Sequence, residues 1–520
     1  MIVLVIMDGL GMTQDSESTL WLAKRDNFDR FEKYFPFTTL QASGIAVGLS
    51  WGEAGNSEVG HLTLGAGKTI YHHLPRISIS IQDGSFFENE TLKKASQKVK
   101  NSGGALHLIG LFSSGSVHAY PDHLYALLEF AKREGLPKVK LHLFTDGRDA
   151  PPKESGKFIE SLDFRISKLY PFAKISSLIG REYAMDRDGD WLKIEKTYNL
   201  LARGEGNVFE NASQYINSQY DKGLTDEFIE AGFSGGDDSR IRKGDAAIFF
   251  NFREDSAREL TSAFVDTSFD KFPRQKVEEL FFVTMTEYQE RSQALAAFGP
   301  LDITSPLAKI LSENKLRQFH IAETDKYAHV TYFFNGGNEN PYPGEDRLLI
   351  PSLPSSQYER NPEMSARKIT EEVLSRMVNF DFILVNYANA DMVGHTGDFE
   401  ATVKALEVLN GEIAKIAEKV LSRDDILIIT GDHGNAEEKR YRVSGEKRTK
   451  HSTNPVPFYL ISKKFEREEP RSSAEITQLH NKVGGVISDV APTILELLGI
   501  PKPPDMAGVS LLEELQVKIK

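Results

Sequence analysis

The chain contains no cysteine in 520 residues, which excludes disulfides, iron–sulfur clusters and thiolate chemistry. Long hydrophobic runs are missing too, since no stretch approaches the roughly 20 apolar residues of a membrane span. The opening MIVLVIMDGLGM is apolar but has no basic flank and no small-residue cleavage site. It reads as a buried strand and not as a secretory signal. Positive charge is in deficit: 62 Lys and Arg stand against 75 Asp and Glu, a formal charge of −13. That balance argues against nucleic acid as the main partner, because a phosphate backbone is repelled overall, yet it leaves room for local basic pockets. Solenoid-period repeats and low-complexity tracts are absent. The expectation is a soluble, cytoplasmic protein with neither a nucleic-acid nor a membrane partner.

What is present is the composition of a globular protein, 40% hydrophobic and 26% charged, in a chain too long for one ordinary core. Apolar strand-like runs alternate with amphipathic helical stretches, which predicts an α/β fold. Strands are expected at 2–7, 106–112, 140–144, 246–250, 280–285, 382–387 and 426–430, and helices at 123–133, 401–421 and 485–498.

Three of the runs lead into aspartates: Ile2–Met7 into Asp8, Phe382–Tyr387 into Asp391, and Ile426–Thr430 into Asp432. His395, His433 and His451 cluster around the latter two. Ligands and catalytic groups collect at strand carboxyl ends in open α/β sheets, and oxygen plus imidazole donors gathered there point to divalent metal. Asp391 and His395 have i, i+4 spacing and share a face if the segment is helical, although Gly394 fits a loop equally well. His451 follows a charged stretch, Glu437–Lys450, that reads as a surface loop. Manganese, zinc and magnesium all suit such donors.

Ser57 lies in Gly55-Asn56-Ser57-Glu58-Val59-Gly60-His61, where a helix opens. A serine there is generically an N-cap. The same position also suits an anion, and beside metal its hydroxyl suits attack on phosphorus.

A different set occupies the middle of the chain: His118, Arg148, Asp149, Arg181, Arg187 and Arg253. Arginines at the ends of successive strands are forks for carboxylate or phosphate, and His118 beside Asp149 suits proton transfer. The metal-type residues fall on either side of this block, which implies an insertion. The chain leaves one α/β domain near Leu74-Pro75-Arg76 and returns near Gly299-Pro300 and Ser305-Pro306.

The stretches MDGLG (7–11), GNSEVGHLTLGAG (55–67), TDGRDAPP (145–152), GREYAMDRD (180–188), NFRED (251–255), AETDKYAHVTYFFNGG (322–337), NYANADMVGHTG (386–397), GDHGNAEE (431–438) and HSTNPVP (451–457) occur in one order over nearly the whole chain. Through them the chain resembles the cofactor-independent phosphoglycerate mutases, whose metal-bearing domain belongs to the alkaline phosphatase superfamily. The resemblance implies an alkaline-phosphatase-like metal domain, 1–75 with 301–520, and a substrate-binding phosphotransferase domain inserted at 76–300.

It further implies interconversion of 3-phosphoglycerate and 2-phosphoglycerate by a monomer, through a phosphoserine on Ser57. Two divalent ions serve it, manganese first, with magnesium, zinc and cobalt as alternatives. Asp391, His395 and His451 would hold one ion, and Asp8, Ser57, Asp432 and His433 the other. Lys326 would steady the transferred phosphoryl group in a cleft between the domains. His118, Arg148, Asp149, Arg181, Arg187 and Arg253 would bind substrate and move protons. Two departures stand out. Ser256 replaces an arginine usual in the family, with Arg258 as its expected substitute, and Ser114-Gly115-Ser116 precedes Val117-His118 where Asp-Gly-Gly is usual. A metal-dependent phosphomonoesterase is the alternative activity.

Overall fold

The computed structural model describes residues 1–236, 239–300, 303–441 and 443–518. It resolves into two compact units, one built from 1–72 and 302–520 and the other from 73–301. In chain order the first unit contributes β1 (Ile2–Met7) and β2 (Phe37–Gln41). The second contributes β3 (Leu106–Leu111), β4 (Val139–Thr145), β5 (Ala173–Gly180), β6 (Asn207–Val208), β7 (Gly232–Phe233), β8 (Ala246–Phe249), β9 (Phe281–Thr286) and β10 (Leu295–Phe298). The first then resumes with β11 (Gln318–Glu323), β12 (Glu345–Ile350), β13 (Phe382–Tyr387), β14 (Ile426–Thr430), β15 (Val456–Ile461) and β16 (Val483–Val486).

Among the described residues each unit holds one eight-stranded sheet. In the first the order is β12-β11-β13-β1-β14-β15-β2-β16. The strands from β12 to β14 are parallel, while β15 runs antiparallel to both of its neighbours. In the second the order is β10-β9-β8-β3-β4-β5-β7-β6, parallel except where β5 meets β7.

The continuous apolar run of β1 follows from burial on both faces, the usual situation of a parallel strand. Val3, Val5 and Met7 join one core, together with Phe28, Phe31, Ile369, Val373, Leu409 and Ile413. Ile2, Leu4 and Ile6 join another, with Val59, Leu64, Leu307, Ile310, Val490 and Ile494. The period-two alternation of a strand thus pins the helices on both sides. The long helix Phe399–Arg423 starts where Asp398 accepts the Ala401 N–H at 2.8 Å, an N-cap, and ends at Asp424 in the left-handed region at φ 56°.

Two expected elements differ. The helix expected over 485–498 is only Val490–Leu497, because Val483–Val486 pairs as β16 with the edge of β2 and a 3₁₀ turn, Ile487–Asp489, intervenes. Asp489 accepts the Val486 N–H at 2.9 Å and so fixes that junction. Leu74-Pro75-Arg76, read as a crossing point, lies in the first turn of a helix, His73–Asp83, where proline is tolerated because no intrahelical N–H bond is lost. The return crossing near 301 falls partly outside the described residues. Among the described residues, no helix is long and apolar enough to cross a membrane.

The second sheet carries a polar ladder in its interior. The buried His107 ring reaches Asp245 Oδ2 at 3.1 Å through Nε2 and His142 Nε2 at 2.8 Å through Nδ1, and His142 Nδ1 lies 2.7 Å from Ser177 Oγ. With Asp245 accepting, every proton in the chain has one consistent place, and both rings are neutral. Burial depresses both histidines below their ordinary value of 6.5, for His142 far below it. A depressed histidine contributes stability that is present above the unfolded value and lost as pH falls beneath it. Scanning calorimetry is therefore expected to show the melting temperature dropping between about pH 6.5 and 5, with a shallower drop in His142→Gln. Identical acid slopes in the two proteins would contradict this account.

Candidate active site

The carboxyl ends of β1, β13 and β14, adjacent in the first sheet, bring Asp8, Asp391 and Asp432 together. All three are buried, at 0%, 2% and 0% exposure. Asp391 lies on a helix, Asn389–Gly394, so the i, i+4 spacing does put His395 beside it. His395 Nε2 is 3.3 Å and His451 Nε2 3.4 Å from Asp391 Oδ1, and the two imidazole nitrogens are 3.0 Å apart. Each ring is fixed from behind: His395 Nδ1 faces Thr449 O at 3.0 Å, and His451 Nδ1 faces Gly55 O at 2.7 Å. Carbonyls accept only, so both Nδ1 atoms carry hydrogen and both Nε2 atoms present lone pairs to one point. Two lone pairs and a carboxylate oxygen converging at that distance fit a cation.

The second donor set is Asp8, Ser57, Asp432 and His433. Ser57 Oγ lies 3.1 Å from Asp8 Oδ1 and 3.0 Å from His433 Nε2. His433 Nε2 lies 3.6 Å from Asp8 Oδ1 and 3.7 Å from Asp432 Oδ2. Asp432 Oδ1 accepts the N–H groups of Gly9 and His433, both at 3.0 Å, while its buried Oδ2 has no hydrogen-bond partner. A buried carboxylate oxygen left over in this way is costly unless a cation takes it.

Ser57 is not the cap of its helix. Asn56 is: its side chain accepts the Val59 N–H at 2.9 Å, and the helix Ser57–Ala66 begins one residue later. The serine hydroxyl is thereby free of the role that serine usually plays at such a start. Gly60 lets the helix come this close, since a Cβ there would stand 2.7 Å from the Asp432 Cβ and backbone oxygen.

Lys326, buried after β11, joins the two sets. Its Nζ donates to Asp8 Oδ1 at 2.6 Å, Ser57 Oγ at 2.7 Å and Asp391 Oδ2 at 2.6 Å. Burial opposes ionisation of Asp8 and Asp391, but the lysine ammonium overrides it and holds both far below the usual carboxylate range. Burial likewise disfavours protonated His433, yet Asp432, Asp8 and Asp391 push it up to about 9. Three carboxylates facing the Lys326 ammonium and the His433 imidazolium still leave surplus negative charge, the condition that divalent cations neutralise.

Several residues essential to this geometry escape the sequence reading. Asn386 donates to Asp8 Oδ2 at 2.8 Å and lies 3.0 Å from His61 Nε2. His61 Nδ1 lies 2.9 Å from Ser57 O and 3.2 Å from Asp432 Oδ2. Asn435 donates to Asp391 Oδ1 at 2.8 Å, and its own carbonyl accepts from Lys439, which also donates to Gly394 O at 2.9 Å. Glu437 accepts the N–H groups of Gly11 at 2.9 Å and Asn435 at 3.0 Å. Glu437 and Lys439 are each 1% exposed, so the surface loop expected over 437–450 begins inside the protein. An asparagine within the apolar run Phe382–Tyr387 and the i, i+4 pair Ser57/His61 are the signals that point to two of these residues.

In the second unit the ends of β3, β4, β5 and β8, neighbours in its sheet, surround a cavity of about 430 Å³ lined by His118, Arg148, Asp149, Arg181, Arg187 and Arg253 among others. Arg181 donates to Asp146 Oδ1 at 2.7 Å, to Asp149 Oδ2 at 2.5 Å and to His118 Nε2 at 3.1 Å. Burial and the neighbouring Arg181 lower His118 to about 4, so its ring is neutral at pH 7. Arg148 donates to Glu227 at 2.7 Å and Glu182 at 2.9 Å. Ser256 lines the cavity, whereas Arg258 does not. Its Nε–H donates to Tyr288 O at 2.7 Å, and its Nη2 lies 3.6 Å from Glu254. The turn before His118 is held by Ser114, whose N and Oγ both donate to Glu154, at 2.7 and 2.8 Å.

Layered α/β units with oxygen and imidazole donors at the strand ends define a metal-dependent α/β enzyme. Comparison with known proteins narrows the class. The family described as BPG-independent PGAM N-terminus matches residues 77–290. A 2,3-bisphosphoglycerate-independent phosphoglycerate mutase of Moorella thermoacetica is 44% identical over 516 residues, covering 98% of each chain. One of Clostridium beijerinckii is 44% identical over 519 residues, again covering 98% of each. Among solved structures, a Leishmania mexicana phosphoglycerate mutase studied at low cobalt concentration aligns with TM-score 0.52 and 29% identity, over 98% of this chain and 97% of that one. The chain belongs to the 2,3-bisphosphoglycerate-independent phosphoglycerate mutase family.

Family membership implies divalent ions, and the donor sets fit them. Elemental analysis after loading with manganese is expected to find two ions per chain in the wild type. Asp391→Asn, which weakens the set with His395 and His451, is expected to retain about one under the same wash.

Proposed function

We propose that this enzyme interconverts 3-phosphoglycerate and 2-phosphoglycerate without added bisphosphoglycerate, through a phosphoserine on Ser57. The observation that carries the reading is the placement of Ser57 Oγ, first in its helix and within 3.1 Å of Lys326 Nζ, Asp8 Oδ1 and His433 Nε2. Asp391, His395 and His451 would hold one divalent ion, and Asp8, Ser57, Asp432 and His433 the other. When bound, the ions supply electrostatic stabilisation of phosphoryl oxygens and a lowered pKa for a coordinated hydroxyl. The absence of thiolate and the presence of carboxylate, imidazole and hydroxyl donors favour manganese, with magnesium, zinc and cobalt as alternatives.

The chain's own groups divide the remaining work. Arg148, Arg181, Arg187 and Arg253 would hold the substrate carboxylate and phosphate, as planar forks do. Ser57 would enter as the alkoxide, its proton released to solvent when the ions bind; its Oγ attacks phosphorus, and the bond from phosphorus to the glycerate oxygen breaks. Asp149, entering protonated, gives its proton to that oxygen and takes one from the other hydroxyl, which then attacks the phosphoserine and regenerates the Ser57 alkoxide. Neutral His118, accepting from Arg181 at Nε2, keeps its Nδ1–H for the substrate. Lys326 neutralises charge on the equatorial oxygens during both transfers. The helix N-terminus at Ser57 adds further favourable dipole for the phosphoryl group. Both constellations come from one chain, which supports action as a monomer, and a cysteine-free chain suits the cytoplasm. The phosphomonoesterase alternative gains nothing from the relatives, which are mutases over their full length.

Ser57→Ala is expected to lower mutase turnover by at least about 10³-fold, since nucleophile and base act as a unit. Metal content would stay near that of the wild type. A coupled assay together with mass spectrometry of quenched enzyme checks this: near-normal turnover in the variant, or no phosphoserine in the wild type, would end the covalent proposal.

A further inference from the structure

Asp255 has no part in the reaction as described, and it is not among the residues that line the second unit's cavity, although Arg187, Arg253 and Ser256 are. Its carboxylate nevertheless gathers two of the cavity's guanidiniums. Arg187 Nη1 donates to Asp255 Oδ2 at 2.8 Å, and Arg253 donates to the same oxygen through Nη2 at 2.8 Å and Nε at 3.0 Å. The other oxygen accepts the Ser256 N–H at 2.8 Å, which fixes the rotation of the carboxylate. Arg187 follows β5 and Arg253 follows β8, strands separated by β3 and β4. Both guanidiniums remain half exposed, at 52% and 44%, while Asp255 is at 24%. The acid is thus less exposed than the two arginines it holds, with its Oδ1 also 3.8 Å from His118 Nδ1.

We propose that Asp255 is a positioning residue for substrate binding, a shared anchor that holds Arg187 and Arg253 in register to receive one anionic group of the phosphoglycerate. This rests on the mutase reading of the site. The physical reason is preorganisation. A free arginine loses several rotamers when it binds an anion, and an arginine already held loses few. One carboxylate between two guanidiniums also leaves net positive charge, so the anchor does not cancel the attraction. The requirement is sharper here because position 256 contributes a hydroxyl and Arg258 is engaged elsewhere. The rival role for the same carboxylate is a built-in competitor that occupies the anion's place until substrate displaces it, and the two roles predict effects of opposite sign.

The test compares wild type, Asp255→Asn and Asp255→Glu in steady-state mutase assays, with calorimetric binding of 3-phosphoglycerate to the metal-loaded enzymes. As an anchor, Asp255→Asn raises KM in both directions by about tenfold or more with kcat within about threefold, the signature of lost ground-state binding. Asp255→Glu, whose longer carboxylate still reaches both guanidiniums, recovers most of the loss. In an Arg187→Gln/Arg253→Gln background, adding Asp255→Asn changes the dissociation constant by less than about twofold, because a residue acting only through others has no effect without them. A KM that stays unchanged or falls in Asp255→Asn, or an equal loss in the double-arginine background, overturns the proposal. If Asp255→Asn does not fold, the Asp255→Glu and arginine-background measurements still decide it. The mutase reading fails separately: wild-type enzyme that binds phosphoglycerate without isomerising it refutes that reading, while the binding data still report on the anchor.

Discussion

The first unit is organised around the mutual repulsion of three buried carboxylates. Asp8 is separated in sequence from Asp391 and Asp432 by most of the chain, and the parallel pairing of β13, β1 and β14 leaves the three at one edge. Buried like charges at such distances must be neutralised or protonated. Everything around them answers that demand. Lys326 donates into the cluster, asparagines and backbone N–H groups take the outward oxygens, and carbonyls turn the histidines so that lone pairs face inward. Asp432 Oδ2, which accepts no hydrogen bond although His61 Nδ1 and His433 Nε2 lie 3.2 and 3.7 Å away, marks where a cation is needed.

The second unit solves the converse problem, concentrating positive charge without letting it collapse onto its neighbours. Each cavity arginine is backed by acids: Arg181 by Asp146 and Asp149, Arg148 by Glu182 and Glu227, Arg187 and Arg253 by Asp255. The pairs of the half-exposed Arg148, Arg187 and Arg253 add little stability. Their value lies in orientation, because a fork that is already aimed binds its anion with less ordering.

Much of this was legible in the sequence for a physical reason. A parallel strand buried on both faces must be a continuous apolar run, so the polar residue that ends it is conspicuous, and Asp8, Asp391 and Asp432 could be found by reading to the ends of such runs. Residues that support them obey no local pattern. Glu437 and Lys439 lie in a charged stretch with the composition of surface, and only the tertiary fold buries them against Gly11, Asn435 and Gly394. His61 is hidden one turn into a helix, and Asn386 inside a strand. The division of labour between Asn56 and Ser57 could not be read either, since either side chain can cap. The short β16 reads as the start of a helix until the edge of β2 is there to pair with it. Arg258 shows the same limit, for its spacing gives no hint that Tyr288 O will claim it.

The interruption of the first unit has a consequence for the order in which the protein comes into being. On a ribosome the whole of the second unit, with its own sheet and core, emerges while the first has only β1 and β2 to show. Domains fold as units during synthesis, so the arginine cavity can be finished early, while β1, the centre of the other sheet, waits for β13 and β14. His451 is the last of the donor residues to be made, and β16 the last strand. The nascent chain can thus hold its finished arginine cavity well before it contains the donor sets proposed above, which stay incomplete until His451 has been made.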